Sequence, residues 1–269
     1  MSIHSESKKK ITVRTIQKRK GKEKIVMITA YDALFANLFE DEVDMILVGD
    51  SLNMSFLGKK DTLSASMEQM IYHTQAVCNG AQSPLIVFDM PFGSYTTKEE
   101  ALKNAIRVYS QTDADAIKIE GGANRADIVE HLTKNGIAVV SHIGLMPQSV
   151  RGDGGYIVRG KSQEDEDNLL KDAKILEQAG AFAMVLEGIK SDVATKISSE
   201  LKIPTIGIGA GAGCDGQVLV WSDMFGFYEE FKPKFVKQYM QGAKLIRESL
   251  SSYVKDVKSG NFPTDEYSY

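Results

Sequence analysis

At 269 residues, 43% hydrophobic and 25% charged, the chain has the size and balance of one globular α/β domain. A formal net charge of −4 argues against a nucleic-acid binder, and the two cysteines, Cys78 and Cys214, are too few for a disulfide framework and form no Cys-x-x-Cys pair. No apolar stretch approaches the roughly 20 residues that cross a bilayer, and the polar amino terminus has no signal-peptide h-region, so a soluble, reducing, cytoplasmic setting is expected.

Residues 1–10 are polar and are expected to be loosely held. Thr12 to Lys20 reads as a short helix stopped by Gly21, and the basic stretch from Lys8 to Lys24 suits a helix covering the amino end of a barrel. Lys24 to Ala30 (KIVMITA) is the first strand. Asp32 caps a helix over Ala33 to Glu42, with Leu34, Leu38 and Phe35 as its apolar stripe. The second strand ends at Asp50, and the long connection Ser51 to Ala65 has the length of a functional loop. Helix Ser66 to Asn79 leads to the third strand, and Thr97, Glu99 and Glu100 open the next helix. A further helix starts at Asn124 or Arg125 and ends before Gly136. Ile143 to Ser162, with five glycines, is a second long loop. Helix Glu164 to Ala179 precedes the sixth strand, and Ile203 to Ile208 is the seventh. Gln217 to Trp221 suits an eighth strand or the core face of a helix, and Lys232 to Lys258 reads as mostly helical.

Five of the apolar, β-branched runs stop on polar groups: Met45 to Asp50, Leu85 to Asp89, Ala116 to Glu120, Ile137 to His142 and Phe182 to Glu187. Strands alternating with helices indicate a parallel α/β fold, expected here as one (β/α)8 barrel over residues 1–269. In such a barrel the active site lies at the carboxyl ends of the strands. Asp50, Asp89, Lys118, Glu120, His142 and Glu187 are therefore expected to share one mouth.

Asp50, Asp89 and Glu120 are hard oxygen donors suited to Mg²⁺, whereas zinc would want imidazole or thiolate, and His142 and Cys214 stand alone. Lys118 and Glu120 share a strand face, which favours a protonated lysine binding a carboxylate or enolate over a Schiff-base lysine. Glu187, partly desolvated and apart from the other carboxylates, has the character of a general base. His142 is a second acid/base group or a wall residue, and His73, inside a helix, is not expected in the site. Gly211, Gly213 and Gly216 match GxGxxG, but no acidic residue ends a strand about 20 positions on, so close backbone approach is the better reading.

The ordered series ITAYD (Ile28–Asp32), LVGDSL (Leu47–Leu52), DMPFGSY (Asp89–Tyr95), KIEGG (Lys118–Gly122), SHIGLMPQSV (Ser141–Val150), GGYIVRG (Gly154–Gly160), VLEG (Val185–Gly188), IPTIGIGAG (Ile203–Gly211) and DGQVLVW (Asp215–Trp221) resembles the ketopantoate hydroxymethyltransferase family. Asn53, Ser141 and the segment Arg151 to Asp153 depart from the common pattern. The resemblance implies a TIM barrel of the phosphoenolpyruvate-mutase/isocitrate-lyase type. It implies Mg²⁺ at Asp50, Asp89 and Glu120, and 3-methyl-2-oxobutanoate at Asp50, Ser51, Asp89 and Lys118. Glu187 would accept the C3 proton, and a Mg-stabilised enolate would take a one-carbon unit from 5,10-methylenetetrahydrofolate to give 2-dehydropantoate in pantothenate biosynthesis. Both partners are small molecules, and a homodecamer is implied. A Mg²⁺-dependent lyase of the same superfamily is the nearest rival, and Cys214 is the only candidate for a lyase's reactive loop cysteine.

Overall fold

The computed structural model describes residues 9–229 and 232–269. Eight parallel strands close into a barrel in chain order, each hydrogen-bonded to the next and the eighth to the first. The chain divides into two compact units, residues 1–220, which contain the barrel, and residues 221–269.

The first eight residues, where most of the expected loose segment falls, lie outside the described residues. Lys10 is tied down: its ammonium donates to the Pro84 carbonyl and pairs with Asp115 at 2.7 Å. Helix α1 (Val13–Lys18) starts at Thr12, whose hydroxyl accepts from the Thr15 amide while the Thr15 hydroxyl accepts from the Thr12 amide. This reciprocal cap satisfies two amides that the first helical turn cannot pair. Ile16 from this helix joins the barrel interior, so α1 covers the amino end.

Strands β1 (Ile25–Thr29), β2 (Met45–Val48) and β3 (Leu85–Asp89) alternate with α2 (Ala33–Phe39), the single turn α3 (Leu52–Ser55) and α4 (Met67–Gly80). The Ser51 to Ala65 connection therefore contains a helical turn. Asn53 shapes the rest of it, its amide donating to the Asp61 carbonyl at 2.8 Å and to the Ser64 hydroxyl at 3.0 Å. On α2 the expected apolar stripe is corrected: Ala36 and Phe39 are buried, while Leu34 and Leu38 are 70% and 62% exposed. The close approach of α2 to α4 selects the inward face. A Cβ on Gly80 would lie 2.2 Å from the Ala33 carbonyl oxygen, so only glycine allows that approach.

Helix α5 (Lys98–Gln111) begins at the Thr97 cap and leads to β4 (Ala116–Glu120). A 3-10 turn, Ala123–Arg125, precedes α6 (Ala126–Lys134), then β5 (Val139–Gly144), α7 (Gln163–Gln178), β6 (Ala183–Glu187), α8 (Ser191–Glu200), β7 (Thr205–Ile208) and β8 (Gly216–Leu219). The ambiguous segment Gln217 to Trp221 is thus divided. Gln217 to Leu219 is strand, because β8 pairs with both β1 and β7, while Trp221 begins the short helix α9 (Trp221–Met224).

Along the strands, residues two apart face the same way. Ile25 and Met27, Met45 and Leu47, Leu85 and Val87, Ala183 and Val185, and Ile206 and Ile208 fill the interior. Continuing the same period carries Asp89, Lys118, Glu120, His142 and Glu187 inward at the carboxyl ends.

In the second unit, helix α10 (Gly242–Ser259) is shorter than expected. Residues 232–241 carry no regular helix. Pro233 lacks an amide proton and disfavours helix at the residue before it, and the Tyr239 amide donates to the Met224 carbonyl instead of a local one.

Candidate active site

Register places the polar strand ends side by side. Asp89 is level with Lys118, Glu120 with His142, and Gly144 with Glu187. Asp50 follows β2, and its amide donates to Asp89 Oδ2 at 3.2 Å. Lys118 Nζ lies 2.6 Å from Asp89 Oδ1 and 3.4 Å from Glu120 Oε1. His142 spans the next gap, with Nδ1 3.5 Å from Glu120 Oε1 and Nε2 3.3 Å from Glu187 Oε2; neither contact has hydrogen-bond geometry. The six residues named from the strand ends thus form one continuous array from Asp50 to Glu187. Ser51 stands at its edge, where its hydroxyl shares a 2.7 Å hydrogen bond with the buried Tyr31.

All of these groups except Ser51 and Glu187 are buried, and Glu187 is 19% exposed in its side chain, which puts it at the rim. Burial disfavours charge unless partners compensate. For Lys118, burial pulls the pKa down but Asp89, Glu120 and Asp50 outweigh it, so the ammonium is held well above its ordinary range. Asp50 is pushed well up by burial and then by repulsion from Asp89 and Glu120. Asp89 is also raised, by burial against the opposing pull of Lys118. Glu120 goes the other way: burial is overcome by Lys118, His142 and the Gln148 amide, which lower it to about 2.

Two contributors carried no assigned role in the sequence reading, Gln148 and Tyr95. Gln148 sits in the 3-10 turn Pro147–Ser149 of the loop after β5. Its side-chain amide donates to Asp50 Oδ2 and to the Met90 carbonyl, both at 2.9 Å, and its backbone amide donates to Glu120 Oε2 at 3.0 Å. The Tyr95 hydroxyl donates to Gln148 Oε1 at 2.5 Å, which fixes the orientation of the amide. The sequence signals were that Gln148 lies inside the SHIGLMPQSV segment and that Tyr95 ends the DMPFGSY segment, since no periodicity rule applies to a loop.

The donor set suits a hard divalent cation in kind and in charge. Three buried carboxylates face one ammonium, and burial, with repulsion among the carboxylates, pushes two of them toward protonation. The site is not preassembled: among the described residues no three His, Cys, Asp or Glu side chains are spaced to hold an ion. Gln148 engages Asp50 Oδ2, while Lys118, His142 and the Gln148 amide surround both Glu120 oxygens.

The residues set aside at the sequence level have structural places. His73 Nδ1 lies 2.6 Å from the Tyr31 carbonyl, and its ring stands edge-on to Phe56. Cys214 is fully buried with its thiol pKa raised by burial, unlike a reactive loop cysteine. A Cβ on Gly213 would fall 2.0 Å from Thr195 Oγ1, so the glycine-rich loop is built for close approach to α8.

The ketopantoate hydroxymethyltransferase family matches the chain over residues 10–265. The 3-methyl-2-oxobutanoate hydroxymethyltransferase of Aliarcobacter butzleri is 60% identical over 269 residues, covering all of both chains. Among solved structures, 2,3-dimethylmalate lyase, a member of the PEP mutase/isocitrate lyase superfamily, is similar with a TM-score of 0.60 at 16% identity, covering 96% of this chain and 91% of its own. Phosphonopyruvate hydrolase in complex with oxalate and Mg²⁺ has a TM-score of 0.61 at 10% identity, covering 94% and 92%. At such identities the two structures establish the fold alone, a (β/α)8 barrel.

Proposed function

The chain belongs to the ketopantoate hydroxymethyltransferase family, and from that premise we propose that it transfers the one-carbon unit of 5,10-methylenetetrahydrofolate to 3-methyl-2-oxobutanoate, forming 2-dehydropantoate for pantothenate biosynthesis. The observation that carries the reading is the array itself: a permanent ammonium beside crowded carboxylates at one end, and the rim carboxylate Glu187 at the other.

Each residue has a task that its surroundings support. The keto acid sits against Lys118, whose charge attracts its carboxylate, with Ser51, Asp50 and Asp89 lining the same place. Glu187 accepts the C3 proton, because it alone of the four carboxylates stands partly open at the rim. His142, pushed up to about 9 by Glu120 and Glu187 against burial and Lys118, is cationic at neutral pH and holds Glu187 in place. Mg²⁺, held by Asp50 and Asp89 with Glu120 in support, would supply a Lewis acid for the developing negative charge, a role that typically contributes several kcal/mol. Phosphonopyruvate hydrolase, which shares the fold, forms a complex with oxalate and Mg²⁺, and this supports an oxyacid and a metal as ligands here. The buried Cys214 lends nothing to the rival lyase chemistry.

The deciding experiment is NMR of C3-proton exchange from 3-methyl-2-oxobutanoate in D₂O, with and without Mg²⁺. Exchange that needs Mg²⁺, and product that needs the folate, are expected; carbon–carbon cleavage without folate dependence would move the enzyme to the lyases. We further place the protein in the cytoplasm as a single-domain subunit of a homodecamer, to be checked by light scattering. No helix among the described residues is long and apolar enough to cross a membrane.

A further inference from the structure

A cleft of about 730 Å³ opens beside the array, lined by Leu63 and Ser64 from the loop after β2, Phe92 from the loop after β3, and Gln148, Ser149 and Arg151 from the loop after β5. We propose that this cleft is the seat of the one-carbon donor, taking the flat heteroaromatic ring of a reduced pterin against Phe92. The inference rests on the reading that a reduced folate is the donor.

A five-carbon keto acid occupies a small part of such a volume, whereas drug-sized ligands occupy pockets of roughly 300–1,000 Å³. Gln148 is the shared wall: it lines the cleft and its amide also holds Asp50 Oδ2 at 2.9 Å. A donor in the cleft is therefore one side chain away from the carboxylate cluster, on the open side of the mouth. Phe92 follows Asp89 by three positions and is 55% exposed, an unusual exposure for a phenylalanine so near a buried cluster. Its exposed ring offers a stacking platform.

The rim supplies the remaining chemistry. The Ser64 and Ser149 hydroxyls give polar contacts that an amino-oxo heterocycle can use. Arg151 bridges the two long loops through Asp61 at 2.9 Å and is exposed enough to meet an anionic tail. That ion pair links the loops after β2 and β5 beside the ring-binding space.

The test is steady-state kinetics on Phe92→Ala and Phe92→Tyr, varying each substrate in turn. Loss of a stacking platform should raise the KM for 5,10-methylenetetrahydrofolate about tenfold in Phe92→Ala, with the KM for the keto acid not following, and Phe92→Tyr should restore it. Titration calorimetry with tetrahydrofolate should show the same loss of affinity. An unchanged folate KM in Phe92→Ala, or equal rises for both substrates, overturns the assignment of the cleft. Absence of any folate-dependent turnover in the wild type would instead bring down the reading of the donor, and the cleft assignment with it.

Discussion

His142 is the hinge of the array, because its two nitrogens face different carboxylates. Burial and Lys118 lower its pKa, but Glu120 and Glu187 outweigh them and raise it from 6.5 to about 9. A group raised on folding adds stability that is complete below about pH 6.5 and is lost as pH climbs through about 9. The metal-free protein should therefore melt at lower temperature near pH 10 than near pH 8, and His142→Asn should flatten that step. An alkaline step that survives in His142→Asn would assign it elsewhere. Glu187 invites a second substitution. Glu187→Gln keeps shape and cannot accept a proton, so C3 exchange should fall by roughly 10²–10⁴-fold while keto-acid binding survives. Exchange at near wild-type rate would move the base to another group. Lys118, surrounded by Asp89, Glu120 and Asp50, is a poor nucleophile because it stays protonated. Borohydride added during turnover should trap no adduct on the peptide containing Lys118, and Lys118→Arg should impair turnover less than Lys118→Ala.

At the scale of elements, one carboxylate joins the segments that meet where the barrel closes, at the end opposite the site. Asp215, just before β8, accepts from Lys20 at 2.7 Å, from the Gly21 amide at 3.0 Å, and from the Thr205 amide and hydroxyl at 2.9 and 3.0 Å. It therefore ties the segment after α1 to the start of β7 at the point where β8 must also meet β1. Burial raises its pKa, but Lys20 and the two amides win and leave it below the usual carboxylate range. A group depressed in this way adds stability above its unfolded pKa of about 4, lost as pH falls through the folded value. Asp215→Asn should cost about 2–3 kcal/mol at neutral pH, read from chemical denaturation, and should weaken the acid dependence of stability. A variant as stable as wild type would show that the strands close without it.

For the molecule as a whole, the surplus of buried negative charge makes metal binding and protonation compete. Asp50 and Asp89 are raised by burial and crowding, so Mg²⁺ must displace protons to bind them. Calorimetry in buffers of different ionisation enthalpy should show proton release on Mg²⁺ binding, with affinity falling as pH drops. EDTA should abolish turnover and Mg²⁺ restore it. Stoichiometric zinc retained in active protein would contradict the hard-oxygen reading, since Asp50 meets Asp89 and Gln148, neither of them a thiolate or an imidazole.

What the sequence determined by itself was the barrel and the polar ends of its strands. A strand has a period of two, so the inward face of Leu85, Val87 and Asp89, or of Ala116, Lys118 and Glu120, is written within five residues. Capping by Thr12, Ser66, Thr97 and Ser162 is equally local, since each side chain accepts from an amide three positions on. The tertiary structure decided what depends on distant neighbours. Gln148 meets Asp50 across 98 positions and Tyr95 across 53, and no local pattern in a loop encodes such pairings. Leu34 and Leu38 look like a buried stripe until the contact between Ala33 and Gly80 turns α2 the other way. His142 could be read from its strand as acid, base or wall, and only closure of β4, β5 and β6 side by side set it between Glu120 and Glu187. Periodicity is a property of neighbouring residues, whereas the charge balance of a buried site is a property of every strand that ends there.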